Sequence, residues 1–168
     1  MNRIKNTWRV KKSIIHGNGV VAAKDINKNK KIIQYIGEKI SKSEGDKRSE
    51  QRIKKYLNSN RTGSVYIFEL NKKYDIDGTP KYNKARYINH SCDPNCEVEI
   101  INNEIWICSI KKIRKGEELT YDYGYEFDKD DFRDHVCKCG SRNCIGFIIS
   151  SDDWPKYLKY LQKIISNK

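Results

Sequence analysis

Arg86-Tyr87-Ile88-Asn89-His90-Ser91-Cys92-Asp93-Pro94-Asn95 is the stretch on which the fold turns. It packs Asn, His, Ser and Cys into one apolar-flanked turn ended by proline. A lone histidine is usually structural. A turn this dense in polar side chains needs a ligand or an internal hydrogen-bond network to satisfy it.

Downstream lies Gly116-Glu117-Glu118-Leu119-Thr120-Tyr121-Asp122-Tyr123-Gly124, where two tyrosines two apart point to the same side of an extended strand. Core tyrosines are common, so this segment says little in isolation. Next comes Cys137-Lys138-Cys139-Gly140-Ser141-Arg142-Asn143-Cys144, three thiols within eight residues around a glycine turn. Such clustering reads as three soft ligands of a tetrahedral zinc, with one ligand missing. Upstream, His16-Gly17-Asn18-Gly19 is a Gly-x-Gly turn between strands, equally readable as a tight hairpin. It lacks the third glycine and following helix of a dinucleotide fingerprint.

Length and charge bound the rest. The 168 residues are a one-domain length, and 11% aromatic residues argue against disorder although the hydrophobic content is only 37%. The net charge of +12 is uneven: residues 1–56 carry 16 Lys and Arg against 5 Asp and Glu, and the remainder 18 against 17. A basic face of this kind either meets nucleic acid or is simply solvated, and without aromatic interleaving solvation is the plainer reading. The opposite bias lies at 117–134, where eight acidic residues face only Lys129 and Arg133. With no export signal visible, six cysteines suggest thiol or metal chemistry before disulfides. No run of eighteen apolar residues occurs, so no membrane span is expected.

Short β-like runs dominate, at Gly19–Ala23, Lys31–Ile36, Ser64–Leu70, Cys96–Ile101 and Ile105–Ile110. The last two, joined around Asn102 and Asn103, read as a hairpin. Ser41 or Ser43 caps a polar, largely exposed helix toward Leu57, with Ile53, Tyr56 and Leu57 on one face. Ser151 or Asp152 caps a second helix that spaces Trp154, Tyr157, Leu158, Leu161, Ile164 and Ile165 for packing on the domain or on a partner.

Taken in order, Gly17-Asn18-Gly19, Tyr35-Ile36-Gly37-Glu38, Arg86 to Cys92, Glu118 to Tyr123 and the Cys-x-Cys-x4-Cys segment resemble the signature segments of SET-domain lysine methyltransferases with a zinc-binding post-SET tail. The resemblance covers about residues 8 to 149. It implies a mainly β fold with short helices (the β-clip, or SET, fold), with small β-sheets around a pseudoknot that joins the Asn-His-Ser-Cys segment to the segment ending in Tyr123. The implied division is a SET domain over 1–135 with a variable insert near 41–85, a post-SET zinc segment over 136–150, and a terminal helix over 151–168. Residues 1–7 hold no cysteine, so a pre-SET zinc cluster is not expected from this sequence, and the terminal helix falls outside the pattern.

The resemblance also implies roles. S-adenosylmethionine would lie against Gly17, Asn18, Gly19, Tyr35, Arg86, Asn89, His90 and Tyr123, leaving S-adenosylhomocysteine as product. Phe147 and Ile149 would close over the adenine. Cys92 would join Cys137, Cys139 and Cys144 on one structural zinc, with Cys96 the alternative ligand and Cys108 a core thiol. Tyr123 would be the main catalytic tyrosine, Tyr66 would line the lysine channel, and Tyr121 would limit the product mainly to monomethyl-lysine. The implied partner is a basic lysine-containing protein, a histone-like tail foremost, drawn to the acidic stretch. Nucleic acid on the basic N-terminal face, an inactive SET-like binding module and dimerisation through the terminal helix are the other expectations, with chromatin the leading location.

Overall fold

The computed structural model describes residues 6–57 and 65–166. The chain forms two compact units, Met1–Asn29 with Ile88–Glu97 and Ser109–Lys168, and Lys30–Tyr87 with Val98–Cys108. Both are built mainly of short strands, as the clustered turn residues and β-branched runs require.

In the first unit, β1 (Trp8–Lys12) and β2 (Asn18–Ala22) form an antiparallel hairpin, Trp8 opposite Ala22 and Lys12 opposite Asn18. Its inner residues Val20 and Ala22 are fully buried with Ile26, Ile88, Ile113 and Leu119 around them in the same core. Backbone bridges join Val21 to Glu118 and Ile26 to Ile113. The unit ends in a short 3-10 turn, Ser151–Asp153, that runs into a thirteen-residue helix, Trp154–Ser166.

The second unit holds two three-stranded sheets. In one, β3 (Lys31–Tyr35) pairs antiparallel with β9 (Glu104–Ser109), which neighbours β8 (Cys96–Ile101). The β8–β9 link is the asparagine hairpin: Asn102 and Asn103 sit at φ 51° and 62°, the left-handed pair that a two-residue turn demands. In the other sheet the order is β4 (Glu38–Ser41), β6 (Tyr74–Asp77), β5 (Ile67–Glu69), both pairings antiparallel. The β5 strand is shorter than the sequence run suggests; Ser64 lies outside the described residues.

Helix α1 (Lys42–Leu57) starts where expected, with the Ser41 hydroxyl accepting the Glu44 N–H at 3.3 Å. Its inward side differs from the expected apolar stripe. Ile53 is 49% exposed, and the side chains of Tyr56 and Leu57 lie outside the described residues. Gly45, Arg48 and Arg52 face the sheet instead, at the i, i+3, i+7 spacing of one helical face. The reason is electrostatic: Asp75 and Asp77 on β6 are almost fully buried and need cations. Lys42 reaches Asp75 at 2.7 Å, while Arg48 and Arg52 reach Asp77 at 2.9 and 2.7 Å.

The terminal helix, α2 (Trp154–Ser166), packs on its own unit. Tyr157 is buried and Trp154, Tyr160 and Leu161 are half-buried against Phe127, Phe132, Phe147 and Ile149. Leu158 and Ile165, placed on the apolar stripe by spacing alone, are 51% and 72% exposed, because the ring partners select the face centred on Tyr157.

Candidate active site

The polar turn is satisfied from within, mostly by the segment that carries the paired tyrosines. β7 (Asn89–His90) and β10 (Thr120–Tyr121) lie parallel, Asn89 opposite Thr120 and His90 opposite Tyr121. Asn95 closes this arrangement: its side-chain oxygen accepts the Thr120 N–H at 2.9 Å, and its Nδ2 donates to the Glu118 carbonyl at 2.8 Å. Within the turn, Ser91 Oγ accepts the Asp93 N–H at 3.1 Å.

Asn89 ties the glycine turn to this pair of strands. Its Nδ2 stands 2.7 Å from Glu118 Oε1, 3.0 Å from Ser13 Oγ, and 3.2 Å from the carbonyls of His16 and Asn18. Ser13 in turn donates its hydroxyl to the Glu118 carboxylate at 2.8 Å. Gly19 is required here for space, since a Cβ would collide with the Glu118 carboxylate. Gly17, at φ 51°, has open space where a side chain would project, so the turn backbone presents an unobstructed edge. Ser13 and Glu118 hold this turn, yet sequence reasoning gave neither a role. The only signal was a carboxylate directly before the buried Leu119-Thr120-Tyr121 run.

His90 is 4% exposed. Its Nδ1 accepts the Tyr123 N–H at 3.2 Å, which places the ring proton on Nε2, 3.7 Å from Cys92 Sγ. Burial pushes its pKa below the ordinary imidazole value, and the Asp122 carboxylate 3.8 Å away only partly opposes this. The ring is therefore neutral at physiological pH. Tyr123 stacks edge-on against it at 5.4 Å, with Tyr121 and Tyr125 at 5.0 and 5.9 Å from the Tyr123 ring. The Tyr123 hydroxyl donates to the Ile88 carbonyl at 3.0 Å. That fixes the proton and leaves the oxygen as an acceptor. Three tyrosine rings are thus gathered beside His90.

Cys92, Cys137, Cys139 and Cys144 have their sulfurs within 4.8 Å of one another. Cys92 lies 3.8 Å from Cys137 and 3.9 Å from Cys144. Tetrahedral zinc with bonds of about 2.3 Å requires sulfurs about 3.8 Å apart, so the cluster fits this ion. Cys96 stays outside it, 1% exposed, with its thiol toward Asn95 Oδ1, and Cys108 is buried on β9. Burial pushes the Cys92 thiol up to about 11 and raises Cys137 as well. Burial also opposes ionisation of Cys139, but the Ser141 hydroxyl and the Cys92 N–H outweigh it and bring that thiol down to about 6. Loading a metal there displaces protons from the thiols that remain neutral.

Phe147 and Ile149 belong to the aromatic cluster under α2, where Ile149 is 1% exposed. Tyr35, Tyr66 and Arg86 belong to the second unit. There the Tyr35 hydroxyl donates to the Tyr66 carbonyl at 3.0 Å, and the Arg86 guanidinium lies 4.0 Å over the Tyr66 ring while donating to the Thr79 carbonyl.

Residues 17–124 match the family model described as the SET domain. The chain belongs to the SET-domain family. Among curated proteins, this SET domain is 40% identical over 152 residues to "Histone-lysine N-methyltransferase, H3 lysine-4 specific" of Saccharomyces cerevisiae, covering 88% of the chain and 14% of that protein. It is 40% identical over 150 residues to human "Histone-lysine N-methyltransferase 2D" and 41% identical over 150 residues to Drosophila melanogaster "Histone-lysine N-methyltransferase trr". Those alignments cover 84% of the chain in each case, and 3% and 6% of the relatives. The SET domain thus spans only a small part of the curated proteins it resembles. Among its described residues, no helix is long and apolar enough to cross a membrane.

Proposed function

We propose that this SET domain is a protein-lysine N-methyltransferase that uses S-adenosylmethionine and acts on a basic, histone-like tail. The observation that carries the reading is the convergence of Asn89, His90 and Tyr121 on one parallel strand pair, with the Tyr123 N–H bonded to His90 and the Gly17–Gly19 turn bonded to Asn89. The names of the relatives make histone H3 and its fourth residue, a lysine, the first substrate to try, and chromatin the expected setting.

When bound, S-adenosylmethionine supplies an electrophilic methyl on a sulfonium. Transfer would form an N–C bond and break the S–C bond, and the proton lost from nitrogen would go to solvent. The protein's part is alignment, on the order of 7 to 11 kcal/mol for well-oriented reactants, and a neutral amine. Free lysine, with a pKa of about 10.4, is neutral in only about one molecule per thousand near pH 7.4. Burial among Tyr121, Tyr123 and Tyr125 lowers that pKa by disfavouring the ammonium. The Tyr123 oxygen, its own proton given to Ile88, accepts an N–H of the incoming amine and points the nitrogen lone pair along the reaction axis. Cys92, Cys137, Cys139 and Cys144 would hold one structural zinc, fixing the end of the Asn-His-Ser-Cys turn to the post-SET segment.

Tyr121 is 6% exposed, with its ring 5.0 Å from that of Tyr123; by the family likeness its hydroxyl would take the room that a methylated amine needs, and mainly monomethyl-lysine is the expected product. Tyr66, Tyr35 and Arg86 keep the channel and cofactor roles that the family likeness implies.

Titration calorimetry with S-adenosylmethionine tests the reading, followed by mass spectrometry of two H3 tail peptides, one with the target lysine intact and one with arginine in its place. Cofactor binding and methylation of the lysine peptide alone are expected. Tyr123→Phe should lower turnover on the order of 10²-fold, and wild-type turnover by that variant removes its role. Tyr121→Phe should shift product toward di- and trimethyl-lysine; abundant trimethyl-lysine from the unmodified protein would overturn the monomethyl assignment.

A further inference from the structure

The chain from Asp122 to Phe127 is stitched to the entrance of α2 at three points. The Ser151 N–H donates to Asp122 Oδ2 at 2.8 Å, and the Ser150 N–H to the Tyr125 carbonyl at 2.7 Å. The Phe127 N–H donates to Asp153 Oδ2 at 2.8 Å. Asp153 is charged yet only 7% exposed, and its other carboxylate oxygen pairs with Lys156. The Lys156 ammonium and the Phe127 N–H hold its carboxyl below the ordinary carboxylate range, so it is an anion at neutral pH.

Beyond this contact, α2 covers the stretch that follows the last zinc-type cysteine. The Trp154 Nε1–H donates to the Ile149 carbonyl at 3.2 Å, and the Tyr157 ring meets Phe127, Phe132 and Phe147 at 5.6, 5.5 and 6.1 Å. That stretch is bonded on its other side to the cysteine segment: Ile148 N–H to the His135 carbonyl at 2.7 Å, and Cys137 N–H to the Gly146 carbonyl at 2.9 Å. Two stretches, one leading out of Tyr121 and Tyr123 and one carrying three cysteines, are thereby fastened to a single helix. The Phe127 amide is the last of the three points where the first is held, and the Asp153 carboxylate holds it there.

We propose that Asp153 is a positioning residue for methyl transfer, fixing the backbone from Tyr121 to Phe127, and with it the Tyr123 hydroxyl, against the zinc segment. This rests on the methyltransferase reading. Asp153 touches neither the amine nor the methyl donor and acts through one hydrogen bond. The chemistry of that bond makes the idea separable from simple stability. Asparagine keeps an oxygen for the Phe127 N–H and loses the charge and the second oxygen that meets Lys156, alanine leaves the amide unpaired, and loss of Lys156 removes only the surface pair. A small displacement of a reacting group is enough to cost turnover, because alignment is what the site supplies.

The experiment compares Asp153→Ala, Asp153→Asn and Lys156→Ala in the full zinc-loaded chain, by steady-state kinetics on a basic peptide and by amide hydrogen exchange. Asp153→Ala should lose about tenfold in kcat with peptide KM within about twofold, and amides from Tyr123 to Phe127 should exchange faster. Asp153→Asn and Lys156→Ala should keep kcat and exchange within about twofold of wild type. Equal impairment of the alanine and asparagine variants overturns the proposal. So does an alanine variant that melts earlier but keeps wild-type kcat and exchange in its folded fraction, since Asp153 would then serve stability alone. A wild-type protein without methyl transfer fails the parent reading; active wild type with indistinguishable variants fails this inference alone.

Discussion

The two helices are held by opposite means. α2 lies on rings and aliphatic side chains, with Tyr157 buried among Phe127, Phe132, Phe147 and Ile149. α1 offers its sheet no buried apolar side chain among those described; Gly45 lets it approach so closely that a Cβ would collide with Asp75. Ion pairs do the rest, from Lys42 to Asp75 and Glu69, and from Arg48 and Arg52 to Asp77 and Glu38. Apolar packing is non-directional and is not weakened by ionic screening, whereas charge pairing at a half-exposed edge is geometric and screenable. A helix of the first kind suits a fixed brace beside a reaction centre. A helix of the second kind suits a surface that answers to ionic conditions.

The largest expected effect comes from the metal that the cysteine cluster fits. Stripping it with a chelator should abolish amide protection from Cys137 to Ile148 and expose Phe147 and Ile149 to solvent, while β4, β5 and β6 of the second unit keep theirs. Hydrogen exchange read by mass spectrometry would show this, and uniform loss across both units would erase the distinction between them. Next comes Tyr157→Ala, which removes a buried ring from the α2 face and should cost about 3 kcal/mol or more in denaturant unfolding, with no dependence on salt. Loss of Asp77 is smaller: Asp77→Ala strands two arginines that are themselves partly hydrated, at about 2 kcal/mol, and this difference should shrink in about 1 M salt.

The smallest effect is the acid response of the same lock. Burial alone would raise the Asp77 pKa, but hydrogen bonds from Arg52, Thr79 and Arg48 outweigh it and hold the carboxyl well below the ordinary carboxylate range. Its folded value is thus lower than the unfolded one. The stabilisation is complete above the unfolded value of about 3.9 and disappears as pH falls through the folded value. The protection of α1 amides, taken relative to the intrinsic exchange rate at each pH, should therefore fall below about pH 4 in wild type and much less so in Asp77→Asn. An α1 that stays protected in acid and in high salt would break the comparison from the other side.

Much of this was legible in the residues. The Asn102-Asn103 hairpin followed from turn chemistry, the post-SET thiols from their spacing, and the Ser41 cap from the hydroxyl before a polar helical run. The fourth thiol of the cluster, Cys92, was reached through the family likeness, because it lies 45 residues from Cys137. Other features had no local signal. Gly45, Arg48 and Arg52 read as ordinary members of a solvated helix until β6 brings Asp75 and Asp77 beneath them. Leu158 and Ile165 match the helical period of α2 as well as Tyr157 does, yet only ring partners 10 to 30 residues upstream choose among them.

The sequence by itself determined the family and the segments that bear its chemistry, because side-chain type and short-range spacing encode turns, caps and ligand sets directly. Tertiary structure alone decided that Asn89 donates to the Glu118 carboxylate, that the Tyr123 hydroxyl donates to the Ile88 carbonyl, and that Asp153 holds the Phe127 amide. Each of these joins residues 26 to 35 positions apart. Such a bond depends on where two separate backbones arrive, and no local pattern of residues records that arrival.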